Sequence, residues 1–234
     1  MTVAAGTRCV GIVALLLVAV LAVPDQAAAQ ERRRPAASPP APRPQTVVRA
    51  FGDLGMTFFT ASDTFDAVLG SPMGVVFGGG AEVVLPQRLF FSGRVSHFQK
   101  SGERVFVLDD EVFPLDIDTT VSITPVEVTA GYRFHARGRN RNMIPYLGGG
   151  VGWHRYDETA DFAETGDDVS KTFVGYHVLG GAEFRMGRTF GIGGEAQWTT
   201  IPDALGDEPG SASAAFDESD LGGISFRVRF IIGR

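Results

Sequence analysis

Residues 121–135 alternate between apolar and polar positions along almost their whole length. One face comprises Val126, Val128, Ala130, Tyr132 and Phe134, and the other comprises Pro125, Glu127, Thr129, Gly131 and Arg133. Successive side chains of a strand point to opposite faces, so this period of two predicts a β-strand. The stretch is long enough to cross a bilayer when tilted.

The same alternation recurs seven more times along the chain. It predicts eight strands, at 47–59, 74–85, 89–99, 121–135, 144–156, 172–186, 190–201 and 221–232. In each of them apolar residues alternate with glycine, hydroxyl or charged residues. These segments are longer than the roughly 5–6 residues usual for strands of globular proteins, which favours a membrane-crossing barrel.

The connections between these strands alternate in length and in charge. Long segments at 60–73, 100–120, 157–171 and 202–220 are rich in Asp and Glu. The segments 86–88 and 187–189 are short, 136–143 is of moderate length, and all three carry arginine: Arg88, Arg137, Arg139, Arg141 and Arg188. Short periplasmic turns and long surface loops are typical of barrels in an outer membrane. The pattern predicts an all-β fold, an eight-stranded antiparallel up-and-down transmembrane β-barrel with long acidic surface loops.

Composition agrees with this fold and divides the chain. The 234 residues carry a net charge of −6 and a mean hydropathy of +0.07. That mean excludes a bundle of apolar helices, but a barrel keeps half of each strand polar. Residues 1–29 have the basic start, the apolar run Val10–Val23 and the small residues of a secretory signal peptide. Residues 30–45 are rich in Pro and Arg and predict a disordered linker, so the barrel domain covers 46–234.

Alternation alone does not say which face is inside. A soluble barrel, such as a periplasmic ligand carrier, would turn its apolar face inward. The long strands, the alternating connections and polar faces built from glycine with Glu and Arg favour the opposite arrangement. A narrow lumen needs small residues beside charges that neutralise each other, because buried charges require partners.

Counting residues outward from the centre of each predicted hairpin shows which charged residues should lie opposite each other on neighbouring strands. A Glu82–Arg94–Glu127 ladder is expected on one wall, and a Glu195–Arg227 pair near Glu183 on the other. The full predicted lumen network comprises Glu82, Arg94, Glu127, Arg133, Glu183, Glu195 and Arg227. We interpret it as a structural plug, and an electrostatic gate or proton path is the alternative.

Other candidate chemistry is sparse. His154 and His177 are expected opposite each other on the lumen face, where they could bind a metal or serve as a base. Two polar histidines without such a role are the plainer interpretation. The glycine pattern 191–196 resembles a dinucleotide fingerprint but continues as strand rather than helix. The only cysteine, Cys9, lies in the leader. No catalytic, cofactor-binding or metal-binding residue is therefore assigned.

Aromatic residues near the predicted strand ends suggest an interfacial girdle. They are Tyr132, Phe134, Tyr146, Trp153, Tyr156, Phe173, Tyr176 and Trp198. Packing in a soluble core would be the competing explanation for them.

With the segments 123–134, 145–156, 175–186 and 224–232 identified, the chain resembles the small outer-membrane β-barrel family typified by the OmpA transmembrane domain and OmpX. The resemblance implies a location in the bacterial outer membrane, contact with its lipid, and insertion by the assembly machinery after escort by periplasmic chaperones. It suggests a monomer that binds no nucleic acid. The expected function is non-enzymatic, structural or surface-interacting. Alternatives are a narrow pore or small-ligand barrel, a lipid-modifying enzyme and a soluble carrier.

Overall fold

The strands of this chain close into a barrel. The structure is a computed structural model that describes residues 45–108, 111–134, 142–160, 169–205 and 212–233. Within these ranges lie β1 (Val47–Phe59), β2 (Met73–Val84), β3 (Leu89–Leu108), β4 (Glu111–Arg133), β5 (Met143–Ala160), β6 (Val169–Arg185), β7 (Phe190–Thr200) and β8 (Gly223–Gly233). Each strand pairs antiparallel with the next, and β8 pairs with β1. The predicted eight-stranded up-and-down barrel is confirmed.

The apolar faces point outward. Val126 and Val128 are 44% and 49% exposed, whereas Glu127 between them is 2% exposed. The same alternation runs along β8, where Phe226, Val228 and Phe230 are exposed and the intervening arginines are buried. Burying charge inside while exposing a belt of large apolar side chains is favourable only when lipid surrounds the barrel.

Glycine makes the lumen narrow. A Cβ added to Gly150 on β5 would overlap the carbonyl oxygen of Val128 on β4. One added to Gly131 would meet the ring of Phe90, which fills the interior beside it. At these two positions the neighbouring strand and the ring of Phe90 occupy the space that a side chain would need, so glycine is required there.

The two ends of the barrel differ. Residues 85–88 and 186–189 form tight connections at one end, the end where β1 begins and β8 ends. At the other end, residues 60–72 contain the helix α1 (Ser62–Leu69), and residues 201–222 contain the short α2 (Ala212–Ala215). We take the tight end as periplasmic and the helical end as outer, as in known membrane barrels.

The prediction of a long loop at 100–120 is wrong. Backbone pairing continues from Lys100↔Val121 to Leu108↔Glu111, with a shift of register between Glu103 and Val105. β-Branched residues (Val, Ile and Thr), which favour strands, are frequent in this stretch and account for the continued pairing of β3 with β4. Residues 157–160 and 169–171 likewise belong to β5 and β6 rather than to a loop.

Several predictions fall outside the described residues. The signal peptide at 1–29, nearly all of the linker at 30–45 and Arg137, Arg139 and Arg141 lie there. The barrel belongs to one compact unit that spans Arg43–Arg234. Within the described ranges, no helix is long and apolar enough to cross a membrane.

The predicted aromatic girdle is only partly correct. Tyr132, Phe134, Trp153, Tyr176 and Trp198 are exposed on the outer surface, as expected. The other three residues point inward: Tyr146 is buried in the lumen, and Tyr156 and Phe173 pack against an interior apolar cluster. Since β5 alternates like its neighbours, Tyr146 shares the parity of His154 and must face the lumen.

Candidate functional site

The lumen is the most distinctive part of this barrel, because charged side chains fill it. All seven residues of the predicted network are at most 6% exposed. They lie on six strands and line the interior from its periplasmic end to its middle: Glu82, Arg94, Glu127, Arg133, Glu183, Glu195 and Arg227. The structure thus brings them into one region.

The periplasmic half of the lumen holds a closed ring of ion pairs. Arg49 donates to Glu183 (Nη1–Oε2 2.8 Å) and to Glu82. Arg133 donates to the same two carboxylates, with 3.1 Å between its Nη1 and Glu82 Oε1. Two cations thus bridge two anions from different walls, and all four side chains are buried.

The middle of the lumen is organised around Arg94. Its guanidinium lies 2.5 Å from Glu195, 3.2 Å from Asp53 and 3.7 Å from Glu127. Glu195 also accepts from Arg229 at 3.1 Å, and the hydroxyl of Tyr146 donates to it at 3.0 Å. One arginine therefore links carboxylates from β1, β4 and β7.

The observed ion pairs differ in part from those predicted by counting from the hairpin centres. Arg94 lies opposite Glu127, as the ladder required, but Glu82 pairs with Arg49 and Arg133 instead of Arg94. Glu195 lies opposite Arg227 in register, yet Arg227 donates to Gln197 Oε1 at 2.5 Å. The reason is geometric: a long arginine side chain can span this lumen and reach strands that are not its neighbours.

The predicted network omits Arg49, Asp53 and Arg229, although alternation along the first and last strands puts them on the polar face. With them the network contains five arginines (Arg49, Arg94, Arg133, Arg227, Arg229) and five carboxylates (Asp53, Glu82, Glu127, Glu183, Glu195), all buried. Five positive and five negative charges cancel. That balance could have identified the missing members, because an unpaired charge in such an interior is costly. We call these ten side chains the charged plug.

The two histidines are both buried in the lumen but are not opposite each other. His154 pairs in register with Phe173, and His177 pairs with Gly150. His177 Nε2 lies 2.8 Å from the hydroxyl of Thr129, while His154 Nε2 has no hydrogen-bond partner. Among the described residues, no group of three metal-ligating side chains is suitably placed to hold an ion.

Above the charged plug the interior becomes apolar, which the sequence prediction missed. The helix α1 packs into the outer mouth and buries Phe65 and Leu69. The buried members of this cluster are Ala61, Phe65, Leu69, Phe98, Val121, Ile123, Ile201 and Leu221. We call them the apolar cap. The sequence does contain a signal for this apolar layer. Val121 and Ile123 lie an even number of positions before Glu127 along the strand, so they must point to the interior as Glu127 does.

Polar contacts hold the apolar cap in place. Glu218 accepts hydrogen bonds from the backbone N–H groups of Asp63 (3.3 Å) and Thr64 (2.8 Å), at the start of α1. Lys100 Nζ donates to the carbonyl oxygens of Ser71 and Met73, at 2.9 and 3.1 Å. The segment that carries α1 is therefore fastened on both sides.

Comparison with solved structures identifies the fold. The chain superimposes on a major outer membrane protein from Thermus thermophilus with a TM-score of 0.52 and 8% identity, covering 80% of this chain and 99% of that one. Neisserial surface protein A gives a TM-score of 0.48 and 12% identity, covering 80% and 96%. The N-terminal β-barrel domain of Pseudomonas aeruginosa OprF gives 0.44 and 10%, covering 79% and 97%. No protein-family model and no curated protein matches the sequence.

The chain therefore has the fold of the small eight-stranded outer-membrane β-barrels. Its own surface agrees with that class, since large apolar side chains encircle the barrel and charges fill its interior. A closed barrel of this kind satisfies all backbone groups of its strands and can span a bilayer. The protein is located in the bacterial outer membrane.

Proposed function

We propose that this chain is a monomeric, non-enzymatic outer-membrane barrel that conducts no solute. Its role would be structural or surface-interacting, and the outer surface would carry it. The observation that supports this proposal is the double closure of the lumen, by the charged plug and by the apolar cap. A pore needs a continuous water-filled path, and neither layer offers one.

The charged plug supports closure because its members bind one another. Arg94 contacts three carboxylates, and Arg49 and Arg133 share two more. A passing ion would have to break buried pairs, and removing one partner of such a pair costs about 3–5 kcal/mol. Such an obstacle favours a silent barrel over a narrow pore.

The apolar cap adds a second obstacle of a different kind. Phe59 stacks on Phe65 of α1 with ring centroids 4.2 Å apart, and Phe98 meets Phe59 edge-on at 5.1 Å. An apolar constriction repels water and ions even where space remains. The two layers together favour a role that does not depend on transport.

The outer surface is the remaining candidate for contact with other molecules. Its described, exposed acidic residues include Asp63, Asp66, Asp118, Asp203 and Asp217. Such a surface would favour a partner with basic groups. Lipid around the belt, and the assembly machinery and chaperones during insertion, are the other partners in this proposal.

Conductance in planar bilayers tests the proposal. We expect the folded wild-type chain to give no current steps, and Glu195→Gln to leave the bilayer silent as well, because the apolar cap still closes the outer mouth. A matched preparation of an open porin should conduct in the same bilayers. Steady current steps from the wild-type chain would refute the non-conducting barrel and favour the narrow pore.

A further inference from the structure

A small cavity lies between the apolar cap and the charged plug. Its volume is about 50 Å³. Phe98, Ile123 and Leu221 contribute to its apolar wall on the side of the apolar cap. A water-sized probe needs roughly 10–15 Å³, so the cavity holds about three to five non-hydrogen atoms.

The opposite wall of the cavity is polar. Thr57 and Ser225 line it, with 3.0 Å between their hydroxyl oxygens. Three further buried side chains also line it: Glu127, His154 and Arg227, which are 2%, 3% and 6% exposed. Neither His154 Nε2 nor Arg227 Nε has a hydrogen-bond partner. Two buried side chains with unused nitrogens thus border one cavity, and such groups ordinarily find a partner.

Arg227 differs from the other arginines of the charged plug. Each of the other four lies in an ion pair with at least one carboxylate. Arg227 forms no ion pair with any residue in the part of the chain that the structure describes, and it donates to the neutral side chain of Gln197. Glu127, Asp53 and Glu195 lie near enough to act on its charge, but none is within ion-pair distance. The guanidinium therefore lacks an anion in direct contact, which is costly for a buried charge. This position is therefore suited to an incoming anion.

Charge balance limits which anion can enter. The five arginines and five carboxylates already cancel, so a lone anion would leave a net negative charge in the interior. A compensating proton must accompany it. Two groups that line the cavity can take a proton, His154 and Glu127. The oxygens of Glu127 already lie 2.6 Å from Gln197 and 3.7 Å from Arg94, whereas His154 Nε2 has no hydrogen-bond partner and is the better acceptor. The other charged or titratable groups around His154 are His177 and Arg227.

We propose that this cavity binds a small carboxylic acid of about one or two carbons, as its carboxylate together with one proton on His154. The carboxylate would accept from Arg227 and His154, and a methyl group would lie against Leu221 and Phe98. Formate and acetate have the required three and four non-hydrogen atoms. A cavity of this volume favours these acids over longer fatty acids.

The proposal goes beyond the non-conducting barrel and does not depend on it. Its signature is proton linkage. Because one proton is taken up with each carboxylate, the apparent affinity should fall about tenfold for each unit rise in pH while His154 is unprotonated in the free protein. A bare anion site without a titrating partner would show no such slope.

NMR of the full barrel in lipid nanodiscs tests the proposal with ¹³C-labelled formate as the probe. We expect saturable shifts of the His154 ring resonances at millimolar formate, with Kd rising about tenfold per unit between about pH 6.5 and 7.5. Acetate should compete and butyrate should not. The pH series on the wild-type chain needs no variant, so it stays decisive even where a substitution prevents folding.

Three variants localise the site. His154→Gln and Arg227→Gln should each weaken formate binding at least about tenfold, since each removes a charged contact. Arg155→Gln is the matched control: Arg155 is 63% exposed and does not line the cavity, so its removal should leave Kd unchanged. Absence of any shift, a pH-independent Kd, or equal competition by bromide would each overturn the carboxylic acid site.

Discussion

The charged plug and the apolar cap fill the same lumen by opposite means. The charged plug buries ten charges that cancel and surrounds them with glycine. The apolar cap buries leucine, isoleucine and phenylalanine around a helix that comes from a connection between strands. The first gains its stability from pairing and the second from apolar area removed from water. The two regions should therefore respond differently to the same kind of substitution.

The comparison also shows how strictly a barrel fixes which side chains face inward. On β4 the inward positions change from Thr129 and Glu127 to Ile123 and Val121 without any change of alternation. Whether a side chain points inward or outward is therefore set by its odd or even position along the strand. Whether an inward side chain is polar or apolar depends on its position along the barrel axis. An inward position can carry a charge or a hydrocarbon, depending on what its neighbours offer.

The largest effect is expected in the charged plug. Arg94→Met removes the cation shared by three carboxylates and should lower the free energy of unfolding by about 3–5 kcal/mol. Urea unfolding in detergent or lipid vesicles measures this. Arg155→Gln is the control, because its pair with Asp157 is largely exposed and should contribute less than about 1 kcal/mol. A variant as stable as wild type would show that the charged plug is held together without Arg94.

A somewhat smaller and more local effect is expected in the apolar cap. Leu221→Ala should cost about 2–4 kcal/mol, because Leu221 is 1% exposed and its loss leaves a void. Hydrogen exchange should accelerate in α1 while the strands around Arg94 stay protected. Met186→Ala, on an exposed side chain near the tight end, should change little. Equal acceleration throughout the barrel would contradict the independence of the two regions.

Tyr146→Phe examines the charged plug with a milder change. The hydroxyl donates to Glu195 at 3.0 Å and lies 3.3 Å from Arg229, so its removal should cost about 1–2 kcal/mol. Tyr132→Phe removes the same atom from the lipid-facing side and should be nearly neutral. Urea titrations of both variants provide the comparison. Equal losses would mean that the lumen contact adds nothing.

Glu218→Gln is the smallest change. Its carboxylate accepts from two N–H groups at the start of α1, where a negative charge is favourable by roughly 0.3–1 kcal/mol. We expect faster hydrogen exchange in α1 only, and the difference from wild type should shrink as added salt screens the charge. Glu103→Gln, away from the first turn of α1, serves as a control. Unchanged exchange in α1 would mean that apolar packing alone holds the helix.

Much of the barrel follows from the sequence because alternation is a local property. Alternation along β4 and β8 predicted the fold and the inward face. Counting outward from the centre of the 100–120 hairpin placed Arg94 close to Glu127, and the two residues do lie opposite each other. Long-range contacts did not follow. Arg49 meets Glu183 across the lumen, 134 residues away, and no hairpin connects their strands. The docking of α1 into the outer mouth was also missed. The free energy gained by burying Phe65 and Leu69 depends on the shape of the barrel interior, which the local sequence of α1 does not contain.

The central claim is that Val126 and Val128 face lipid. Glu127 between them, and Thr129 and Ile123 on either side, face the interior of the barrel. Nuclear Overhauser effects from lipid acyl chains to methyl groups in nanodiscs test it without any substitution. We predict strong effects at the methyls of Val126 and Val128 and none at those of Thr129 or Ile123. Strong effects at Thr129 with none at Val126 would contradict it.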